Sequence, residues 1–338
     1  MVEKVYKILL VDDEEDNLDL LNRTLRQNFE VFKTTSPIEA LNILAEIPMD
    51  IIISDHKMPE MDGVEFLKKS YEMNPICVRL LVTAYSDPRV LIDAINHAKI
   101  YRYIKKPWTP EELLVVVDAA VAHYKVMQEN DKLIYDLKDL FSGTVNAIME
   151  ALDAKDSFTL GRSRRVTFLG IKMVEYLNLS REEMGKLELA GLLHDIGMIG
   201  VPEAILLKTG DFSQEDYEHI KKHVSHGVKI LEDIKQLKDV VEIIKHHHER
   251  FDGKGYPSGL KGEEIPMNSR IIAVADAYDS IISNRSYREG VPHEDAMKII
   301  ESQSGKQFDP VIVEAFKHVI PDAIEEIRNH IKQATKNL

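Results

Sequence analysis

The sequence predicts a multidomain protein: an α/β doubly wound domain, a helical linker, and then an all-α helical bundle. Three observations support this. Before about residue 122, short and continuously apolar runs alternate with helical stretches. From there to Phe141, apolar residues recur at helical spacing only, and beyond Phe141 no strand pattern competes with helix. The expected division is residues 1–122, 123–141 and 142–338, and 338 residues is in any case long for one core.

In the first stretch, Ile8-Leu9-Leu10-Val11 ends in Asp12 and Asp13, and Ile51-Ile52-Ile53 ends in Ser54 and Asp55. Leu80-Leu81-Val82 ends in Thr83, and Tyr101-Arg102-Tyr103-Ile104 ends in Lys105, Lys106 and Pro107. Runs this short and apolar suit strands of a parallel sheet covered on both faces. Functional groups of such sheets gather beyond the carboxyl ends of the strands, where all four runs place polar residues. Asp12, Asp13 and Asp55 would repel one another unless a hard divalent cation such as Mg²⁺ sat among them. Lys106 would balance the charge, and Thr83 offers a hydroxyl able to follow an added phosphoryl group. Together with Asp55-His56-Lys57-Met58-Pro59-Glu60-Met61-Asp62-Gly63, these residues resemble a two-component receiver domain over residues 1 to about 122. The resemblance implies a five-stranded parallel sheet and a sensor histidine kinase as partner. It also implies Asp55 as phosphoacceptor, Asp12 and Asp13 as Mg²⁺ ligands, Thr83 and Lys106 as the switch pair, and Tyr103 as an aromatic switch.

The linker opens with Thr109-Pro110-Glu111-Glu112, a capping box with proline at the first helical position. Apolar residues recur at Leu113, Val117, Ala120, Tyr124 and Met127, then at Ile134, Leu137 and Phe141, with Asn130 on the same seam. A buried asparagine can fix register in a coiled coil. The expectation is a long helix that pairs with its twin in a homodimer, with an amphipathic helix packed on its own domain as the alternative.

In the last stretch, Ser180-Arg181-Glu182-Glu183 and Ser213-Gln214-Glu215-Asp216 mark helix starts. His194-Asp195, His223, His247-His248 and Asp276 fall within helical segments or at their ends. Adjacent side chains on a helix diverge by about a third of a turn, so a doublet can reach around one metal or toward two. Facing helices of a bundle let such ligands converge inward. Mixed imidazole and carboxylate ligation suits iron, manganese or zinc better than calcium or magnesium.

The motifs His194-Asp195-Ile196-Gly197, His247 through Asp252-Gly253-Lys254-Gly255-Tyr256-Pro257, and Asp276 through Asp279 with Arg285-Ser286-Tyr287-Arg288 resemble the HD-GYP family of HD-type phosphohydrolases. The resemblance covers roughly residues 142 to 330. It implies hydrolysis of cyclic di-GMP to pGpG or GMP with two iron or manganese ions. His194 and Asp276 would hold one metal, His223, His247 and His248 the other, and Asp195 would bridge them. His194, Asp195 and Asp276 are therefore the expected catalytic residues, and Tyr256, Gly255, Arg285 and Arg288 expected substrate contacts. Two positions depart from the family pattern. Where some members hold a third metal with Glu and His, this chain has Phe158 and Arg162, which predicts a two-metal site. The lysine usual after His-Asp-x-Gly is Met198 here, which cannot donate a proton; Lys208, later in the same stretch, joins the expected substrate contacts. A catalytically weak module that acts as a phosphorylation-controlled cyclic-dinucleotide-binding or scaffold protein is therefore the alternative to an enzyme.

The net charge of −14 argues against a nucleic-acid duplex or an anionic membrane as partner. The single Cys77, the lack of a signal-peptide layout and the lack of a membrane-length apolar run lead to the expectation of a cytoplasmic protein.

Overall fold

The structure, a computed structural model, describes residues 5–84, 98–155, 161–206, 208, 210, 212–283 and 290–336, with side chains to Ile327. The chain forms two compact units, Met1–Asp139 and Leu140–Leu338.

In the first unit, β1 (Lys7–Val11), β2 (Glu30–Thr34), β3 (Ile51–Asp55), β4 (Val78–Thr83) and β5 (Arg102–Lys105) make one parallel sheet in the order β2-β1-β3-β4-β5. The apolar runs read from the sequence are its buried centre, since β1, β3 and β4 lie between two layers. Alternate residues serve the two faces. Ile8, Leu10, Ile51 and Ile53 pack with Leu18, Leu21 and Leu25 of the helix Glu15–Leu25. Leu9, Val11 and Ile52 pack with Phe66 and Leu67 of the helix Gly63–Met73. Strand order reverses at β1 and β3, a topological switch point that leaves a crevice at their carboxyl ends. Asp12 and Asp55 stand there.

A helix of 46 residues, Pro110–Lys155, begins in this unit. Thr109 and Glu112 cap it reciprocally: the Thr109 hydroxyl accepts from the Glu112 N–H at 3.2 Å and the Glu112 carboxylate from the Thr109 N–H at 2.9 Å. Leu113, Val117, Ala120 and Tyr124 enter the core of the first unit, whereas Val145, Met149 and Leu152 enter that of the second. Between them Leu133, Ile134, Leu137, Leu140 and Phe141 are exposed.

The second unit is helical, with Arg162–Tyr176, Arg181–Leu193, Gln214–Leu231, Lys238–Lys245, Met267–Ile282, His293–Ser302 and Pro310–Lys336 as its main elements. The Ser180 hydroxyl caps one helix by accepting from the Glu183 N–H, and Ser213 with Asp216 forms a capping box on another. A buried ion pair joins two of these helices: Arg165 donates to both oxygens of Asp279 at 2.6 and 3.1 Å. Loss of either partner would strand a buried charge at a cost of roughly 3–5 kcal/mol. No helix among the described residues is long and apolar enough to cross a membrane.

Candidate metal centre and phosphoacceptor site

Four helices deliver the candidate metal ligands. His194 ends the helix Arg181–Leu193, and Asp195 leads into the 3₁₀ turn Ile196–Gly200. His223 lies within Gln214–Leu231, His247 and His248 follow Lys238–Lys245, and Asp276 sits in Met267–Ile282. A Cβ on Gly197 would run into the backbone carbonyl of His223 and the backbone nitrogen of Gly227. Only glycine lets the turn after Asp195 lie this close to the helix that carries His223.

The ligand atoms form two triads, His194 with Asp195 and Asp276, and His223 with His247 and His248, each within 4.8 Å. Asp195 faces both: its Oδ2 is 3.2 Å from His194 Nε2 and its Oδ1 is 3.6 Å from His223 Nε2. Three rings are aimed in the same way. Nδ1 of His194, His223 and His247 bonds the carbonyl three residues earlier, on Gly191, Ile220 and Ile244, at 2.8, 2.6 and 2.5 Å. An Nδ1–H engaged in this way leaves Nε2 as the free ligand atom.

The electrostatics divide along the same line. Burial opposes a charge on His194, but Asp195 and Asp276 outweigh it and raise its pKa to about 10. Burial also disfavours ionised Asp195 and Asp276, yet His194 and Arg162 hold both below the ordinary carboxylate range. Burial and the neighbouring imidazoles keep His247 well below the usual histidine value and lower His248 to about 3, so both are neutral donors at neutral pH. Arg162 donates twice to Asp276 Oδ1, at 2.8 and 2.6 Å, and lies 3.7 Å from Asp195 Oδ2. A metal fits these residues. His194 Nε2 is buried, lies 3.2 Å from Asp195 Oδ2 and 3.4 Å from Asp276 Oδ1, and makes no well-aligned hydrogen bond to either. Neutral imidazoles and ionised carboxylates surround it, a donor set suited to a transition-metal ion.

The triads border a cavity of about 600 Å³ that Met198, Lys221 and Tyr256 also line. The Tyr256 ring stacks on His248 with centroids 5.0 Å apart, and Lys221 Nζ is 5.7 Å from the centre of the Tyr256 ring. A Cβ on Gly255 would collide with the Glu249 and Arg250 backbone, which explains the glycine beside that tyrosine. Glu249, buried, anchors the loop by accepting from the Ser258 and Gly259 N–H groups at 2.7 and 3.1 Å. Lys208 instead donates to Asp216 at 2.6 Å and is not part of the cavity wall. Arg285, Arg288 and Phe158 lie outside the described residues. The sequence reading had not singled out Lys221, which no motif or spacing marks.

In the first unit Lys106 pairs with Asp55 and, at 3.2 Å, with Asp12 Oδ2. Burial works against the Lys106 charge, but the two carboxylates prevail and raise its pKa. Asp12 also accepts from Asn17 and from the Glu14 N–H at 3.0 Å. The Thr83 hydroxyl lies 3.2 Å from His56 Nδ1, Asp13 is exposed, and Tyr103 is 46 % exposed.

Residues 8–118 match the response regulator receiver domain family and residues 146–312 the HD domain family. A cyclic di-GMP phosphodiesterase of Thermotoga maritima is 32% identical over 91% of this chain and 89% of its own. The cyclic di-GMP phosphodiesterase response regulator RpfG of Xanthomonas campestris pv. campestris is 29% identical over 91% of this chain and 86% of its own. A 3′3′-cGAMP-specific phosphodiesterase of Vibrio cholerae is 32% identical over 55% of this chain and 36% of its own.

Proposed function

This chain belongs to the family of response regulators that join a receiver domain to an HD domain, and from that premise we propose that phosphorylation of Asp55 controls a two-metal phosphodiesterase acting on cyclic di-GMP. The observation that carries the reading is the pair of triads, with Asp195 of one facing His223 of the other, beside one cavity.

His194 and Asp276 would hold one iron or manganese ion, His223, His247 and His248 the other, and Asp195 both. When bound, the metal pair supplies Lewis acidity, easing deprotonation of water and neutralising charge on a phosphodiester. Asp195 and Asp276 stay ionised to hold that positive charge, and Arg162 fixes the orientation of Asp276. Tyr256 offers a ring face for a guanine, held in place by His248. Arg285 and Arg288 would grip phosphate with forked donors, and Gly255 lets the tyrosine loop close. Lys208, held by Asp216, reaches substrate only if that pair opens. Met198 itself offers no proton to the leaving oxygen from its place in the cavity wall. In the receiver domain, Asp12 and Asp13 would hold Mg²⁺ beside Asp55, with Thr83, Lys106 and Tyr103 reading the phosphoryl group that a sensor histidine kinase supplies. A second copy of the chain would cover the exposed seam of the long helix.

Met198 also motivates the second reading, a module that binds cyclic dinucleotide and turns it over poorly. Anaerobic incubation of iron- or manganese-loaded protein with cyclic di-GMP should yield pGpG or GMP, and His194→Ala or Asp195→Ala should reduce turnover to background. Tight binding by fully metallated protein without product would favour the module, and turnover surviving in either variant would refute the mechanism. A mixed guanine–adenine cyclic dinucleotide assayed alongside reports base selectivity.

A further inference from the structure

We propose that Lys155 is a positioning residue through which the long helix Pro110–Lys155 sets the placement of Asp195; this rests on the function proposed above and names how the same site is regulated. Lys155 is the last residue of that helix. Its ammonium donates to three carbonyls of the 3₁₀ turn Ile196–Gly200 and its C-cap, those of Met198 at 3.2 Å, Ile199, and Val201 at 2.8 Å. An ammonium has three donors and no acceptor, so this one turn uses all of them. The last carbonyls of a helical turn carry partial negative charge and keep lone pairs free for a further donor, even where one of them, as on Met198, already accepts from the Val201 N–H. Lys155 therefore caps the 3₁₀ turn Ile196–Gly200 from a different element.

That turn is continuous with Asp195: the Met198 N–H donates to the Asp195 carbonyl at 2.8 Å, and the Val201 N–H to the Met198 carbonyl at 3.1 Å. Its far side has no slack. Gly197 abuts the His223 backbone, and a Cβ on Gly200 would meet the His226 ring. The turn is held between the helix Gln214–Leu231 and the Lys155 ammonium, with the carboxylate that faces both triads at its start. A displacement of Lys155 must move the turn or break three charge-assisted hydrogen bonds. The other end of the same helix places Leu113, Val117 and Ala120 in the core that also contains Ile53 and Val82, next to Asp55 and Thr83 in β3 and β4. One uninterrupted element thus carries residues of the first unit's core at one end and the tie to the carboxylate that faces both triads at the other.

The test uses the full chain with Lys155→Met, which keeps the aliphatic stem, and Lys155→Arg, which keeps the charge. Manganese affinity by chelator competition and cyclic di-GMP turnover are each measured with and without beryllofluoride, an analogue of the phosphoryl group on Asp55. Thermal melts establish that both variants are folded. Wild type should respond to beryllofluoride in both readouts. Lys155→Met should bind manganese about tenfold more weakly and lose the response, while Lys155→Arg should retain it. A folded Lys155→Met protein with wild-type affinity and wild-type response overturns the proposal, as does a wild type whose affinity and turnover both ignore beryllofluoride. Absence of turnover in wild type would count against the phosphodiesterase reading alone, because the affinity measurement still decides the role of Lys155.

Discussion

Among the described residues three Arg or Lys side chains line the cavity, and two are already committed: Arg162 to Asp276, and Arg250 to Asp252 and Gln307. Lys221 differs, since its ion-pair partner is the exposed Glu218 at 2.7 Å. Exposed pairs contribute little, so this ammonium can turn to a substrate phosphate at small cost. Lys221→Met should raise KM for cyclic di-GMP about tenfold and leave kcat within roughly threefold, the pattern of lost uniform binding; steady-state kinetics with unchanged KM would rule Lys221 out as a contact. That the six candidate ligands come together in the fold was legible because four of them form doublets, His194-Asp195 and His247-His248, and all are residue types that seldom lie buried without a role. Lys221 was illegible because a lone lysine on a helix usually faces water. Arg162 was only half legible. The sequence shows that it cannot ligate a metal, but the fold alone brings it onto a carboxylate 114 positions away.

Capping chemistry was readable at the scale of the element, because Thr109 with Glu112 and Ser213 with Asp216 act over three residues. So were the central strands, whose burial on both faces demands unbroken apolar runs. The edge strand β2 was not among those runs, since Glu30–Thr34 is only partly buried and mixes polar with apolar residues. The extension of the long helix to Lys155 was likewise hidden, because its apolar positions change allegiance between two cores. Its exposed middle bears on assembly. Leu137 and Leu140 are each 67 % exposed, close to Ile134 and Phe141, a stripe that helical spacing keeps on neighbouring faces and that a second copy would cover. Light scattering should therefore report a dimer at micromolar concentration, and the double substitution Leu137→Glu, Leu140→Glu should shift it to monomer. A wild-type monomer with and without beryllofluoride would remove pairing from the account.

For the whole molecule, the order of the two domains assigns input and output: a carboxylate paired with Lys106 at the switch point of a sheet, and two triads able to hold metal inside a helical bundle. The helix Pro110–Lys155 has neither proline nor glycine between Glu111 and Ser142, the two residue types that most often kink a helix. Angular register then matters more than reach. Each inserted residue turns one end against the other by about 100°, so two residues inserted after Leu133 rotate it by about 200°, whereas seven return it to within about 20°. The seven-residue insertion should preserve the beryllofluoride response and the two-residue insertion should abolish it, with manganese binding retained in both; equal responses from the two proteins would show that the helix acts only as a tether. Sensory domains could be exchanged freely in such a protein, provided the junction is counted in whole heptads.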